Sequence, residues 1–412
     1  RFFENGDRLD ASMEESIVEG VAHIEAEVEN IFGDVEKPLL LSVRSGARES
    51  MPGMMDTVLN LGLNSSTVEG LAAWSGDRRF ALDSYRRLIQ MFADVVRGVE
   101  RELLEAPLRE LRERRQLSFD HEIGEADLEN LIVELLGVFE TATGETFPED
   151  PREQLHQAVG AVFSSWWGQR AHTYRRLNGI PDHWGTAANV QAMVYGNLGR
   201  DSATGVAFSR NPTSGENKPF GEWLPNAQGE DVVAGVRTPG TLNADDKQWR
   251  EGIDSLEEHD PGAHAALLEV LTKLEAHFHD LQDVEFTIQE GKLFLLQTRS
   301  GKRTATAAVR SAVEMVAEGM ISKETAVARV EADQIDQLLH PQIDPSIRQE
   351  PLARGLPASP GAASGYIVLD AEEAQRLGDG GVAVILVRRE TSPEDIHGMH
   401  AARGILTETG GM

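Results

Sequence analysis

Two acids, an amide and an arginine recur at two-residue spacing between positions 283 and 299. Asp283 and Glu285 interleave with Val284, Phe286 and Ile288, and Gln297 and Arg299 lie beyond a Glu290-Gly291 turn signal. Residues two apart on a strand share a face, so each pair projects one way. Two carboxylates and an amide oxygen suit a hard cation such as Mg2+, which takes oxygen ligands and keeps several waters. Arg299 would then neutralise a phosphate held by the metal. The same pattern describes a solvated strand pair with ordinary cross-strand ion pairs, and on spacing alone that plainer reading is favoured.

A second set lies in Ser42-Val-Arg-Ser-Gly-Ala-Arg48, where a short apolar run enters a polar loop. Loop N–H groups and the guanidinium forks of Arg44 and Arg48 suit a polyphosphate. The spacing is not that of the Gly-x4-Gly-Lys-Ser/Thr phosphate loop. An Arg44 paired with a structural carboxylate explains the segment equally well. In Met51-Pro-Gly-Met-Met-Asp56, the methionines around Gly53 read as core filler or a turn, or, if exposed, as a lid over a ligand. Gln191, Met193 and Val194 offer an edge against which a purine could lie. Thr204-Gly205 would allow close approach to a phosphate, because glycine lacks a Cβ. A tight turn between strands accounts for the same residues. His397 and His400 are three apart with no third ligand near them, which suits a structural role better than a metal site.

The elements that must position these groups fall into two textures. Residues 15–31 carry Ile17, Val18, Val21, Ile24 and Val28 at helical spacing, and Pro38–Val43 reads as a strand running into a loop. From Ser65 to Glu149 the periodicity is helical, with Tyr85, Leu88, Ile89 and Phe92 on one face and Leu128, Leu131, Ile132 and Leu135 on another. The charge-dense stretch Arg97–Gln116 reads as a solvated helix face, and Arg152–Leu177 as one further helix. After Gly185 short runs bounded by Gly, Pro and Asn predict strands at Ala188–Gly196, Ala203–Ser209 and Asp231–Arg237. A helix at Leu267–Leu281 precedes the hairpin. Arg303–Gly319 and Ser322–Val330 read as Ala-rich helices. Leu338–Ala353, with three prolines, reads as a linker. Strands at Gly365–Leu369 and Val382–Val387 flank a helix at Ala371–Leu377.

The chain has 412 residues, no cysteine and a net charge of -29. Disulfides, thiolate metal sites and cysteine nucleophiles are excluded. The acidity disfavours nucleic acid and anionic membranes as partners but not a phosphate substrate held by a few placed cations. No apolar run approaches the roughly 18–20 residues that span a bilayer. Arg1 at the start and the Gly-Gly turn before Met412 give both ends the look of cuts.

Taken in order, these pieces resemble the pyruvate, phosphate dikinase family of phosphoenolpyruvate-utilising enzymes. The resemblance is carried by Ser42 to Gly62, Trp184–Asn197, Ser202 to Pro212, Asn226 to Gly235 and Leu296 to Arg303. It continues in Leu356 to Ala362 and Thr391 to His400. It implies an α+β chain: an ATP-grasp nucleotide-binding domain with a helical insertion, then the start of a swivelling phosphohistidine domain. The implied boundaries are 1–62 for a first ATP-grasp subdomain lacking its N-terminal part, 63–184 for the insertion and connecting helices, and 185–302 for the second subdomain. A helical linker would cover 303–353 and the truncated swivelling domain 354–412, with motion about Gln337–Arg354. The implied activity is phosphotransfer with paired acceptors: ATP, phosphate and pyruvate become AMP, pyrophosphate and phosphoenolpyruvate through a phosphohistidine.

By the same resemblance, Arg44 and Arg299 match phosphate-side arginines with catalytic roles. Asp283, Glu285 and Gln297 match ligands of Mg2+ and nucleotide, and Gly53 lies in a loop that closes over the phosphates. Three departures stand out. No Gly/Lys-rich segment precedes Glu36; the carrier histidine would lie just beyond Met412; and the pyruvate-binding barrel is absent. The chain by itself is therefore expected to be inactive. A homodimeric, cytoplasmic parent is implied. The alternatives are a phosphoenolpyruvate synthase-like or other-acceptor dikinase, or a non-catalytic nucleotide-binding regulatory form.

Overall fold

The computed structural model describes all residues except Ser50, Pro52, 230–237, 250–253, 339–352, Arg354, Leu356, Pro357, Ser359, Pro360 and 410–412. The strand expected at Asp231–Arg237 and nearly all of the hinge expected at Gln337–Arg354 lie outside the described residues. The chain folds as two units, Arg1–Met193 and Val194–Met412, and its mixture of helix and strand is α+β, as expected.

In the first unit the helix Ala11–Val28 begins on Asp10, whose carboxylate accepts the Met13 N–H at 2.9 Å. A short parallel pair, β1 (Ile31–Phe32) and β2 (Pro38–Leu39), leads into an antiparallel sheet of β3 (Leu41–Ser45), β4 (Thr57–Leu61) and β5 (Ala188–Ala192), ordered β4-β3-β5. Leu41 and Val43 are fully buried, with the helix Pro151–Ser164 packed against β3 and Arg78–Met91 against the neighbouring β4. Such burial contributes about 1.5–3 kcal/mol per side chain and holds β3 in the middle of the sheet. The stretch read as helical from Ser65 to Glu149 contains the helices Thr67–Ser75, Arg78–Met91, Arg101–Arg115 and Glu125–Thr143. The charge-dense stretch does present a solvated face, with Arg101 paired to Glu105 and Leu104, Leu108 and Leu111 turned inward.

Two expectations change here. Arg152–Leu177 is not one helix: Pro151–Ser164 ends in a 3-10 turn at Ser165–Trp167, and Gln169–Leu177 starts again after extended Gly168. The break follows from packing, since it buries Trp166 beneath the guanidinium of Arg175, 4.1 Å from the ring centroid. Strand β5, assigned by sequence to the second subdomain, pairs with β3 of the first unit through the register Arg44↔Asn189 and Ser42↔Gln191.

The second unit is built on β6 (Ala203–Phe208), β7 (Phe220–Pro225), β8 (Gly240–Thr241), β9 (Gln282–Gln289) and β10 (Lys292–Ser300), antiparallel in the order β10-β9-β6-β7-β8. Alternation along β9 sends Val284, Phe286 and Ile288 into a core with Trp223, Leu267 and Leu271, the last two on the helix Pro261–Phe278. It leaves Asp283 and Glu285 on the opposite face. Glu290 and Gly291 both take positive φ, 50° and 77°, the combination of a type I′ hairpin turn. Helices Ala305–Ala317 and Lys323–Arg329 follow. A parallel sheet of β11 (Tyr366–Val368), β12 (Val384–Arg388) and β13 (Gly404–Thr407) carries the helices Ala371–Asp379 and Ile396–Ala401 as crossovers. Strands β7, β8 and β13 have no counterpart in the sequence expectations, because each is short or lacks clean alternation. Among the described residues no helix is long and apolar enough to cross a membrane.

Candidate nucleotide-binding site

In the first unit, Arg44 stands half-buried on β3 between Thr57 on β4 and Asn189 on β5. The loop that follows is pinned at its stem. Gly46 N–H donates to Ala187 O at 2.8 Å, and Ala187 N–H donates back to Gly46 O at 3.3 Å. A Cβ on Gly46 would lie 2.8 Å from Asn189 Nδ2, so any larger residue here would have to push the Asn189 side chain aside. Arg48 is exposed, with its guanidinium 4.7 Å from the Trp184 ring centroid. That cation–π contact holds the cation near the surface at a cost in solvation smaller than burial would exact. Met51, Met54 and Met55 are buried, whereas Gly53 is exposed at φ 69°. The methionines therefore anchor the loop and the glycine forms its turn, in line with the core-filler and turn reading. Asp56 closes the segment, ion-paired to Arg170, with its N–H donating to Ser165 Oγ at 3.3 Å. Arg170 carried no signal in the sequence beyond its charge.

Strand β5 is an edge strand, as a purine-reading edge requires. Its groups are distributed differently from the sequence expectation. Met193 N–H is committed to Leu40 O at 2.9 Å, and Gln191 O accepts from Ser42 Oγ at 3.3 Å. Antiparallel pairing turns alternate residues inward, so the outward backbone groups on this strand fall on Val190 and Ala192. Val194 opens the second unit, next to Tyr195, whose N–H donates to Gln289 Oε1 at 2.9 Å.

In the second unit, Thr204 and Gly205 lie inside β6. The Thr204 hydroxyl donates to Phe286 O at 3.1 Å, and a Cβ on Gly205 would lie 2.5 Å from the Phe286 ring and 2.4 Å from Glu222 O. Both residues thus have a packing reason that needs no phosphate.

The hairpin gathers the remaining four. A bulge between Leu295 and Gln297 shifts the register of β10 by one residue, which sets Gln297 opposite Glu285 and Arg299 opposite Asp283. Bulges re-aim side chains in this way beside functional sites; the sequence hid it because the alternation of β9 continues undisturbed. Arg299 Nε donates to Asp283 Oδ2 at 2.7 Å, and Arg299 Nη2 lies 3.5 Å from Glu285 Oε1. Asp283 is 8% exposed, and its Oδ1 is buried with no hydrogen-bond partner. Burial pushes the Asp283 carboxyl above the usual aspartate range; Arg299 pulls it back in part, and Glu285 adds to the rise. An unsatisfied buried carboxylate oxygen is costly and is the group a cation would satisfy. With Glu285 on the same face and Gln297 directly across, these residues fit Mg2+. Among the described residues no group of three or more His, Cys, Asp or Glu side chains could hold a metal. A two-carboxylate site completed by an amide, water and phosphate oxygens is thus the form available here.

The chain matches two family descriptions. Residues 8–260 and 255–320 match "Pyruvate phosphate dikinase, AMP/ATP-binding domain", and residues 381–412 match "PEP-utilising enzyme, mobile domain". It is 54% identical over 413 residues to pyruvate, phosphate dikinase of Rhizobium meliloti (strain 1021), covering 100% of this chain and 46% of that protein. Identity to pyruvate, phosphate dikinase of Clostridium symbiosum is 51% over 414 residues, with the same coverage. To the chloroplastic pyruvate, phosphate dikinase 1 of Arabidopsis thaliana it is 51% over 409 residues, which is 99% of this chain and 41% of that protein. The chain spans somewhat less than half the length of these curated relatives. A match that runs through both units and includes the segments around Arg44 and Arg299 makes this chain a member of the pyruvate, phosphate dikinase family, covering its AMP/ATP-binding domain and reaching into the mobile domain.

Proposed function

We propose that the chain is the ATP-binding part of a dikinase that converts ATP, phosphate and pyruvate into AMP, pyrophosphate and phosphoenolpyruvate by way of a phosphohistidine. The observation that carries this reading is the β9/β10 hairpin, where Gln297 stands opposite Glu285, Arg299 opposite Asp283, and one Asp283 carboxylate oxygen is buried and unsatisfied. Asp283, Glu285 and Gln297 hold Mg2+, which when bound neutralises phosphate charge. Arg44 and Arg299 contact phosphate oxygens as guanidinium forks, and Arg48 supplies further positive charge at the Gly53 loop. Phosphoryl transfer demands mainly positioning and charge neutralisation from the protein, and these residues offer both. Gln191, Met193 and Val194 lie along the segment assigned to the purine, with Val190 and Ala192 providing the outward backbone groups. Thr204 and Gly205 support β9 from β6 and act on the site through it.

The test is Mg2+-dependent ATP binding by the full-length protein, measured by calorimetry. Arg44→Ala should weaken it by about 10- to 100-fold, the loss of one hydrogen bond to a charged group, and Glu285→Ala and Gln297→Ala, each removing a proposed metal ligand, should weaken it as well. Unchanged affinity in all three would remove the site assignment. Turnover should require added phosphate and release pyrophosphate; release of phosphate alone would identify a synthase-type dikinase instead. A homodimeric, cytoplasmic parent belongs to the same reading, and size-exclusion chromatography of the full-length protein tests the dimer.

A further inference from the structure

We propose that Arg299 is a resident counter-cation of the metal site, whose displacement couples metal binding to phosphate binding. This rests on the reading above and adds a thermodynamic role to it. The bulge in β10 puts the guanidinium between two carboxylates: Nε donates to Asp283 Oδ2 at 2.7 Å, and Nη2 sits 3.5 Å from Glu285 Oε1. The three side chains are 22%, 10% and 25% exposed, respectively. Two like charges this close and this shielded repel one another, and removing a partner from a buried ion pair leaves a charge uncompensated. Arg299 compensates both acids at once, which its planar fork allows and a point charge would not.

Asp283 Oδ1 is buried and has no hydrogen-bond partner, so a cation can take it without breaking a bond. A divalent ion that goes on to engage Glu285 competes with Arg299 for the same oxygens. The guanidinium is tethered to β10 and cannot leave. Once displaced, it is an unpaired cation beside a metal, and its natural partner is an anion on that metal. Metal alone therefore binds against Arg299, whereas metal with a phosphate anion binds with it. Such coupling is reciprocal: each ligand raises the affinity of the other by the same factor.

The experiment uses the full-length protein with Mn2+ as the spectroscopic stand-in for Mg2+, free Mn2+ being read by electron paramagnetic resonance with and without pyrophosphate. In the wild type, pyrophosphate should tighten Mn2+ binding at least tenfold. Arg299→Gln should bind Mn2+ alone at least threefold more tightly than wild type, and its coupling to pyrophosphate should fall below threefold. An Arg299→Gln protein that binds Mn2+ alone no more tightly, or keeps the wild-type coupling, overturns the proposal. If that variant lacks the wild-type circular dichroism spectrum, Arg299→Lys serves: a single ammonium cannot face both acids, so coupling should drop at least threefold, and unchanged coupling overturns the proposal equally. Loss of the underlying metal-site reading looks different, since wild-type protein would then show no metal-dependent ATP binding at all.

Discussion

At the residue scale, the proposed metal site turns on Asp283. Asp283 is buried, half-satisfied and raised in pKa chiefly by that burial. The sign of its effect on stability follows. A carboxyl raised on folding contributes stability below the ordinary aspartate range, and that contribution is lost as pH climbs through the raised value. Asp283→Asn should therefore melt higher than wild type at pH 7, and the gap should narrow as pH falls toward 4. The same variant should bind Mg2+ and ATP more weakly. A lower melting temperature at pH 7 would contradict the burial argument. Gly205 carries the opposite expectation. Gly205→Ala would press a Cβ against the Phe286 ring and Glu222 O, and overpacking of this kind costs about 1–3 kcal/mol. Denaturant unfolding measures it, and an unperturbed midpoint would mean the strands can separate without loss. Spacing singled out Arg44, Asp283, Glu285, Gln297 and Arg299 as residue types but favoured a plain strand pair for the hairpin, and only the family resemblance turned that reading toward a site. What spacing could not convey was which oxygen is satisfied, or that Thr204 and Gly205 are occupied by the sheet interior.

At the scale of elements, the β10 bulge sets which residues of the hairpin stand opposite one another. A regular hairpin closed by Glu290-Gly291 would continue the pairing Leu295↔Phe286 unbroken, and Gln297 and Arg299 would miss Glu285 and Asp283. Deleting Leu296 removes the extra residue and should give a regular hairpin that still sets Gln297 opposite Glu285 and Arg299 opposite Asp283, so Mg2+-dependent ATP binding should persist with the β6–β9 pairing intact by hydrogen exchange; loss of ATP affinity in a folded variant would show that the pairing alone does not make the site. A second element-scale device is Arg210, which is fully buried at the end of β6. It donates to Glu275 at 2.9 Å from Nε and pairs with Glu318 beyond the helix Ala305–Ala317. Removing one member of a buried pair costs about 3–5 kcal/mol, so Arg210→Ala should lower stability by that order and release the helix. The sequence disclosed the hairpin, the main helices and the strand entering the Arg44 loop, because their periodicities are long and clean. It joined Pro151–Ser164 to Gln169–Leu177 because the intervening break is made by the packing of Trp166 and Arg175, which no periodicity encodes.

At the scale of the whole molecule, the α+β class and the family were legible because long motifs recur in order, and the chain is similar to its relatives across both units. The division into units was less legible. Strand β5 follows the helical region in sequence yet pairs with β3, a long-range contact that local texture does not reveal. The central claim is that these residues serve ATP-driven phosphorylation of a histidine. The most direct measurement is transfer of label from β-phosphate-labelled ATP to the full-length protein in the presence of Mg2+, with acid lability and base stability identifying the phosphohistidine. Wild-type protein should incorporate label, and the combined Arg44→Ala, Glu285→Ala, Gln297→Ala variant, folded by circular dichroism, should incorporate none. Labelling of that variant at the wild-type level would contradict the claim.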